Sequence, residues 1–349
     1  MSHRAVILIN LGTPNSPTYF SVFKYLRQFL SDPRVIDYSW FFRFLLVNLI
    51  ICPIRSFASS RIYKDLFNKY SGQSPLKLYT DELTRTLNQG SSDDKFYYAM
   101  RYQNPSIESA IKEALDTNPD ELVIFPLFPQ YASATTGSVY EEVGKILSRY
   151  WVIPKVTYIG QFYSEPSFIN AWKNNLSKMN IDSYDHILFS FHGLPNSQVN
   201  KVYSDNICED KNCDKGITEL NKFCYKATSY ETARLIANSS QINNDQYTVC
   251  FQSRLTKNWL EPFTDEVLKS LAENGMKRIL IVSPAFTADC LETVIELGDE
   301  YNSLFQAAGG EVVEYVPSLN ASEPWVYSCL LYTSPSPRDV EESRMPSSA

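Results

Sequence analysis

Residues 186–195 read HILFSFHGLP. The run from 187 to 191 is apolar and aromatic, and it gives way at once to His192, Gly193 and, two residues on, Pro195. So short an apolar run, closed by a glycine and a proline, is a strand buried on both faces, as in a parallel sheet. His192 then stands at the carboxyl end of that strand, beside a glycine that lets a ligand approach.

The same pattern repeats along the chain. Short apolar, β-branched runs occur at 5–11, 121–128, 151–159, 247–251, 278–282 and 311–315, and stretches of helical period lie between them at 106–115, 139–150, 229–237 and 264–274. Strands alternating with helices build parallel βαβ units, so the expected class is α/β. Four runs end in Gly- or Pro-containing turns: Gly12-Thr13-Pro14, residues 126–131, residues 192–195 and Ser283-Pro284-Ala285. In open α/β sheets ligands bind outside the carboxyl ends of the strands, which marks these four turns for the chemistry. Two fall in each half, which predicts two similar Rossmann-like halves, residues 1–160 and 161–326, with the active-site cleft between them.

With 349 residues there is room for two such halves. A net charge of −7 and the lack of any Lys/Arg cluster argue against nucleic acid as a partner. The first residues run straight into an apolar strand without the pattern of a signal peptide, so the expected compartment is the cytoplasm. Seven cysteines spread over such a chain do not describe a disulfide framework. Residues 40–54, WFFRFLLVNLIICPI, form the most apolar segment; it falls short of the roughly 20 residues a spanning helix needs. It reads either as a core helix or as an exposed lip that meets a membrane surface or a flat hydrophobic ligand. After Trp325 the patterning stops, and residues 327–349 read as a disordered or non-native tail, Ser- and Pro-rich from 332.

There are three histidines. His3 lies at the terminus, His186 opens a strand, and His192 alone would be an ordinary structural histidine. A second feature changes its weight. Residues 289–300 read DCLETVIELGDE, and a helix there carries Asp289, Glu292, Glu296 and Glu300 at spacings of 3, 4 and 4. At about 100° per residue these carboxylates share one stripe and repel one another. A solvated acidic face normally mixes in Lys or Arg, yet no positive residue lies between Ala288 and Tyr301. A cation passing along the stripe accounts for this, and Fe(II) accepts both carboxylate and imidazole ligands.

With these motifs in view, the chain resembles the ferrochelatases from near its start to about residue 325. The matching stretches are LINLGTP (8–14), FLSDPRVID (29–37), MRYQNPSI (100–107), PLFPQYASATTGSV (126–139), FSFHGLP (189–195), FQSR with WLEP and TDE (251–266), and SPAFTADCLET (283–293). The resemblance implies insertion of Fe2+ into protoporphyrin IX to give haem, between two Rossmann-like halves. By motif, His192 corresponds to the family's catalytic histidine and Glu292 to the carboxylate facing it across the ring. His192, Glu292, Asp289, Glu296 and Glu300 match its metal-handling groups, on a helix that in relatives includes a π-type turn. Two pyrrole protons must leave as the metal enters, and an imidazole, with an ordinary pKa of about 6.5, is able to take one.

Arg101, Tyr102, Tyr131 and Thr13 match residues that line the family's porphyrin pocket, Arg101 being suited to steer a propionate. Segment 40–54 aligns with the porphyrin-entry lip, which implies peripheral contact with the inner membrane. Many relatives have His where this chain has Cys290. Some ferrochelatases bind a [2Fe–2S] cluster, and Cys208, Cys213 and Cys224 lie within 17 residues. Such a cluster takes four thiolates, and Ser229 stands where some similar sequences have a fourth cysteine. Three other readings stay open: a coproporphyrin III chelatase, a chelatase for cobalt or nickel, and a porphyrin or haem carrier without catalysis. The carrier has no need of His192 together with the acidic stripe.

Overall fold

Among the described residues, eight parallel strands form two sheets of four. The computed structural model describes residues 3–204, 208 and 213–333. In the first half lie β1 (Arg4–Gly12), β2 (Asp94–Tyr102), β3 (Glu121–Pro126) and β4 (Lys155–Tyr158), in the order β2-β1-β3-β4. In the second lie β5 (His186–His192), β6 (Tyr247–Gln252), β7 (Arg278–Val282) and β8 (Val312–Tyr315), in the order β6-β5-β7-β8. The two orders are the same topology written twice, although the two sequences show no evident repeat.

In each sheet the chain leaves the first strand toward one side and returns to the other, so the order reverses between β1 and β3, and again between β5 and β7. Such a switch point opens a crevice at the carboxyl ends. All four turns singled out in the sequence follow these four strands. Gly12 shows why one of them cannot change: its φ is +114°, and a Cβ there would lie 2.0 Å from the Tyr102 carbonyl oxygen.

β2 was absent from the sequence reading. Its run DKFYYAMRY mixes charge and tyrosine with apolar residues, so it lacks the continuous apolar signature of β1 and β3. A buried ion pair anchors it: Arg4 donates to both carboxylate oxygens of Asp94, at 2.8 and 2.6 Å.

Two elements correct the sequence reading. Residues 40–54 are only the first half of one 30-residue helix, Trp40–Lys69, with a π-helical stretch at Leu46–Ile51. By length and composition this helix could cross a membrane. It is not a core helix: Trp40, Phe41, Phe42, Leu49, Ile50, Ile54 and Phe57 are all exposed. Secondly, residues 327–333 are not a disordered tail, because helix Glu323–Thr333 continues through them and buries Trp325, Cys329 and Thr333. Leu330 and Tyr332 pack on the same core cluster, and the polar side chains hold the helix by hydrogen bonds such as Ser328 to Ser167 at 2.9 Å. The rest of the expected tail, 334–349, lies outside the described residues.

Candidate active site

The carboxyl ends of β1, β3, β5 and β7 meet at one cavity of about 190 Å³, lined by Thr13, Gln130, His192, Phe286 and Glu292 among others. His192 and Glu292, 100 residues apart in sequence, thus share one wall-to-wall space. His192 Nδ1 lies 2.7 Å from the Gly193 carbonyl oxygen. A carbonyl only accepts, so the proton sits on Nδ1 and the lone pair on Nε2, the tautomer a base needs. Trp259 and Phe286 flank the ring at 6.4 and 6.5 Å between centroids. Gly193 is required beside it, because a Cβ there would meet the Gln252 carbonyl at 2.9 Å and Trp259 at 3.2 Å.

Glu292 opens a π-helix, Glu292–Glu300. The wider turn and i→i+5 bonding keep residues four apart nearly in line, so Glu292, Glu296 and Glu300 form a stripe running outward. Glu296 is the held member: it accepts from the Ser253 backbone N–H at 2.9 Å, from the Ser253 hydroxyl at 2.5 Å and from the Tyr301 hydroxyl at 2.8 Å. Burial pushes its carboxyl above the ordinary range, against those hydrogen bonds and the nearby His192. Glu300 is exposed.

Asp289 does not belong to the stripe. It precedes the helix, is buried, and accepts from Thr293 and Ser318 on one oxygen and from Asn320 on the other. These three hydrogen bonds fasten the helix start to residues 318–320.

Arg101 and Tyr102 are also corrected. Neither lines the cavity. Both turn to Asp32, whose Oδ2 accepts from Arg101 at 2.9 Å, from Tyr102 at 2.9 Å and from Ser138 at 2.6 Å. Tyr102 is fully buried, and Arg101 lies 4.7 Å over its ring. Arg101 is therefore committed to an internal network. Tyr131 lines an adjacent cavity instead, in edge contact with Phe223, and Thr13 is on the His192 cavity as expected.

Tyr25 and Tyr63 escaped the sequence reading, yet both line the cavity. They come from helices Tyr19–Leu30 and Cys52–Lys69 and pack on Val294 and Ile295 of the π-helix. Burial raises both phenols well above the ordinary range, so they remain neutral hydroxyls. No spacing signal marks them, since each is one tyrosine on a helix the strand pattern did not reveal.

Of the three clustered cysteines, Cys213 and Cys224 are buried in one cluster with Tyr203, and the Cys213 thiol beside it holds the Cys224 thiol below its ordinary range while its own is pushed up. Ser229 donates to the Tyr225 carbonyl at 2.8 Å. Three thiols and an engaged hydroxyl do not make the four-thiolate set of a [2Fe–2S] cluster, and among the described residues no group of three or more His, Cys, Asp and Glu is arranged to hold a metal.

Two four-stranded parallel sheets flanked by helices and meeting at one cavity define a protein of the chelatase fold. That fold is shared with SirB from Bacillus subtilis with Fe3+ (TM-score 0.53, 12% identity, covering 95% of this chain and 94% of that one). It is shared too with the sirohydrochlorin chelatase SirB from B. subtilis subspecies spizizenii in complex with cobalt (TM-score 0.51, 12% identity, 98% and 97%). The family model described as Ferrochelatase matches residues 3–330. A ferrochelatase of Coxiella burnetii (strain Dugway 5J108-111) is 41% identical over 327 residues, 92% of this chain and 90% of that protein. One from Legionella pneumophila (strain Philadelphia 1) is 38% identical over 325 residues, 93% and 96%. The chain belongs to the ferrochelatase family, lyases that insert ferrous iron into a porphyrin in haem biosynthesis.

Proposed function

We propose that the ring is protoporphyrin IX and that His192 and Glu292 handle its protons and the metal from opposite faces. The observation that carries this is the single cavity they share, with the His192 lone pair on Nε2. His192 takes one pyrrole proton as Fe2+ enters; Glu292 meets the metal or the second proton, and Glu296 and Glu300 continue the path outward. Residues 1–160 and 161–326 act as the two walls of the cleft. The exposed apolar face of helix Trp40–Lys69 meets a membrane surface in peripheral contact, where a poorly soluble ring is exchanged. Cys208, Cys213 and Cys224 lack a fourth thiolate partner, and no step is assigned to a cluster.

The test is anaerobic Fe(II) insertion into protoporphyrin IX, followed by absorbance. Turnover by the wild type with kcat reduced on the order of 10²–10⁴-fold in His192→Ala and in Glu292→Gln is expected for loss of general-base chemistry. Porphyrin binding without turnover in the wild type would leave a carrier, and faster turnover of coproporphyrin III would replace the ring.

A further inference from the structure

Glu292 is a half-buried carboxylate on a cavity with no cation to pair it: none of the described residues lining that cavity is Lys or Arg. Such a carboxylate needs hydrogen-bond donors to hold its charge and its direction. Several donors on the same walls are already engaged. Asn10 Nδ2 donates to the Thr80 hydroxyl, Gln130 Nε2 to the Thr232 hydroxyl, and the Thr287 hydroxyl to the Leu127 carbonyl. His192 gives its Nδ1 proton to the Gly193 carbonyl. The Cys290 thiol lies beside Glu292, but a thiol is a weak donor.

Tyr25 and Tyr63 are placed differently. Both are buried on this cavity, and their rings meet edge-on at 6.2 Å. They pack on Val294 and Ile295, the second and third residues after Glu292 on the π-helix. Their hydroxyls meet each other, and two hydroxyls bonded in series keep one proton to give outward. Burial comes first in keeping both phenols protonated, and the charge of Glu292 adds to it in each. A phenylalanine at either position would fill nearly the same space, so packing does not account for two buried oxygens. The phenols belong to helices of the first half, whereas His192 and Glu292 both belong to the second.

We infer that Tyr25 and Tyr63 are positioning residues for Glu292: their paired hydroxyls, brought up by the first half, donate one hydrogen bond to its carboxylate and hold it toward the centre of the ring. A hydrogen bond to an ionised acceptor is among the stronger ones, and a carboxylate held in one direction loses less freedom when it meets the metal or a proton. The first half thereby completes a reacting group that the second half carries. This inference rests on the reading of Glu292 as a reacting group and deepens it.

The experiment measures kcat and the porphyrin KM for anaerobic Fe(II) insertion into protoporphyrin IX, with wild type, Tyr25→Phe, Tyr63→Phe, Glu292→Asp and the double variant Tyr25→Phe with Glu292→Asp. Tyr25→Phe removes a single oxygen and should lower kcat about tenfold while the porphyrin KM stays within about twofold. Tyr63→Phe should lower kcat about threefold, since it acts through Tyr25. Glu292→Asp is one methylene shorter and draws its carboxylate away from the hydroxyl, so adding Tyr25→Phe to it should change kcat by less than about twofold. The same cycle run with Tyr63→Phe carries the test if Tyr25→Phe does not fold. A kcat unchanged in both Phe variants, or a loss by the same factor in Glu292→Asp as in the wild type, overturns the inference while wild-type turnover keeps the ferrochelatase reading. A wild type that does not metallate the ring removes both.

Discussion

His186 and His192 occupy the two ends of β5, and their surroundings give them opposite parts. His192 keeps one nitrogen free at the cavity, whereas His186 is buried at the start of the strand, 2.9 Å from the Thr248 hydroxyl. Burial lowers the His186 pKa below its ordinary 6.5, outweighing the attraction of Asp245. The sign follows: the folded state holds the imidazole neutral, so the unfolded chain binds more protons once pH drops below about 6.5. The stability from a neutral His186 is therefore complete above that value and lost as pH falls from it toward the lower folded pKa. Urea unfolding at pH 7.5 and 5.5 should show a smaller acid-side loss in His186→Asn than in the wild type. Equal losses would mean that the imidazole is charged in both states. Residue-scale legibility followed the same logic. That His192 and Glu292 line one cavity was readable because strand ends and helical spacing are local patterns. Arg101, Tyr102 and Asp289 were misread because their partners, Asp32, Ser138, Ser318 and Asn320, are brought up only by the fold.

At the scale of elements, the strands legible in the sequence were those with a continuous apolar run, whether central like β1, β3, β5 and β7 or at an edge like β4 and β8, and the turns after β1, β3, β5 and β7 marked the cleft. β2 stayed hidden because it carries tyrosines and charge where its neighbours are uniformly apolar. The lip was half legible: composition marked 40–54, but the helix runs on to Lys69 through residues with no strong period. Its exposed surface includes Trp40, Phe42, Leu49 and Ile54. If that face contacts lipid, a double substitution Trp40→Ser with Phe42→Ser should weaken binding to anionic vesicles on the order of a hundredfold or more, since each buried aromatic side chain contributes on the order of 1.5–3 kcal/mol. Turnover of porphyrin presented in detergent should be largely kept. Vesicle binding equal to the wild type would make the face a shield for the ring alone.

Across the whole molecule, the two sheets share one continuous core, in which Val6 and Phe125 of the first join Phe189 and Phe251 of the second through Phe162, Trp172 and Trp325. Helix Glu323–Thr333 closes this core. Trp325 is fully buried, stacked on Phe162 at 5.7 Å and edge-on to Phe168 at 6.0 Å. Tyr332 reaches Phe125 of β3 at 6.0 Å, and Ser328 meets Ser167 on helix Pro166–Leu176. The sequence hid this because the helix carries Tyr327 and Leu331 on its exposed side as well as apolar residues on its buried one, and so has little amphipathic period to detect. A cleft between two halves needs such a clasp, since any slack between the sheets draws the first half's wall, Thr13 and Gln130, away from His192 and Glu292 on the second. Trp325→Ala removes a large ring from a dry, close-packed site and should destabilise the protein by about 3–5 kcal/mol. Truncation after residue 322 should cost more, because it also strips Phe125 and Phe162 of their cover. Both losses are to be read from urea midpoints, with kcat measured on the folded fraction. A midpoint left unchanged by Trp325→Ala would mean that the halves hold together without the clasp. A lowered midpoint together with a lowered kcat would show that the same helix sets how the first half's wall meets His192 and Glu292.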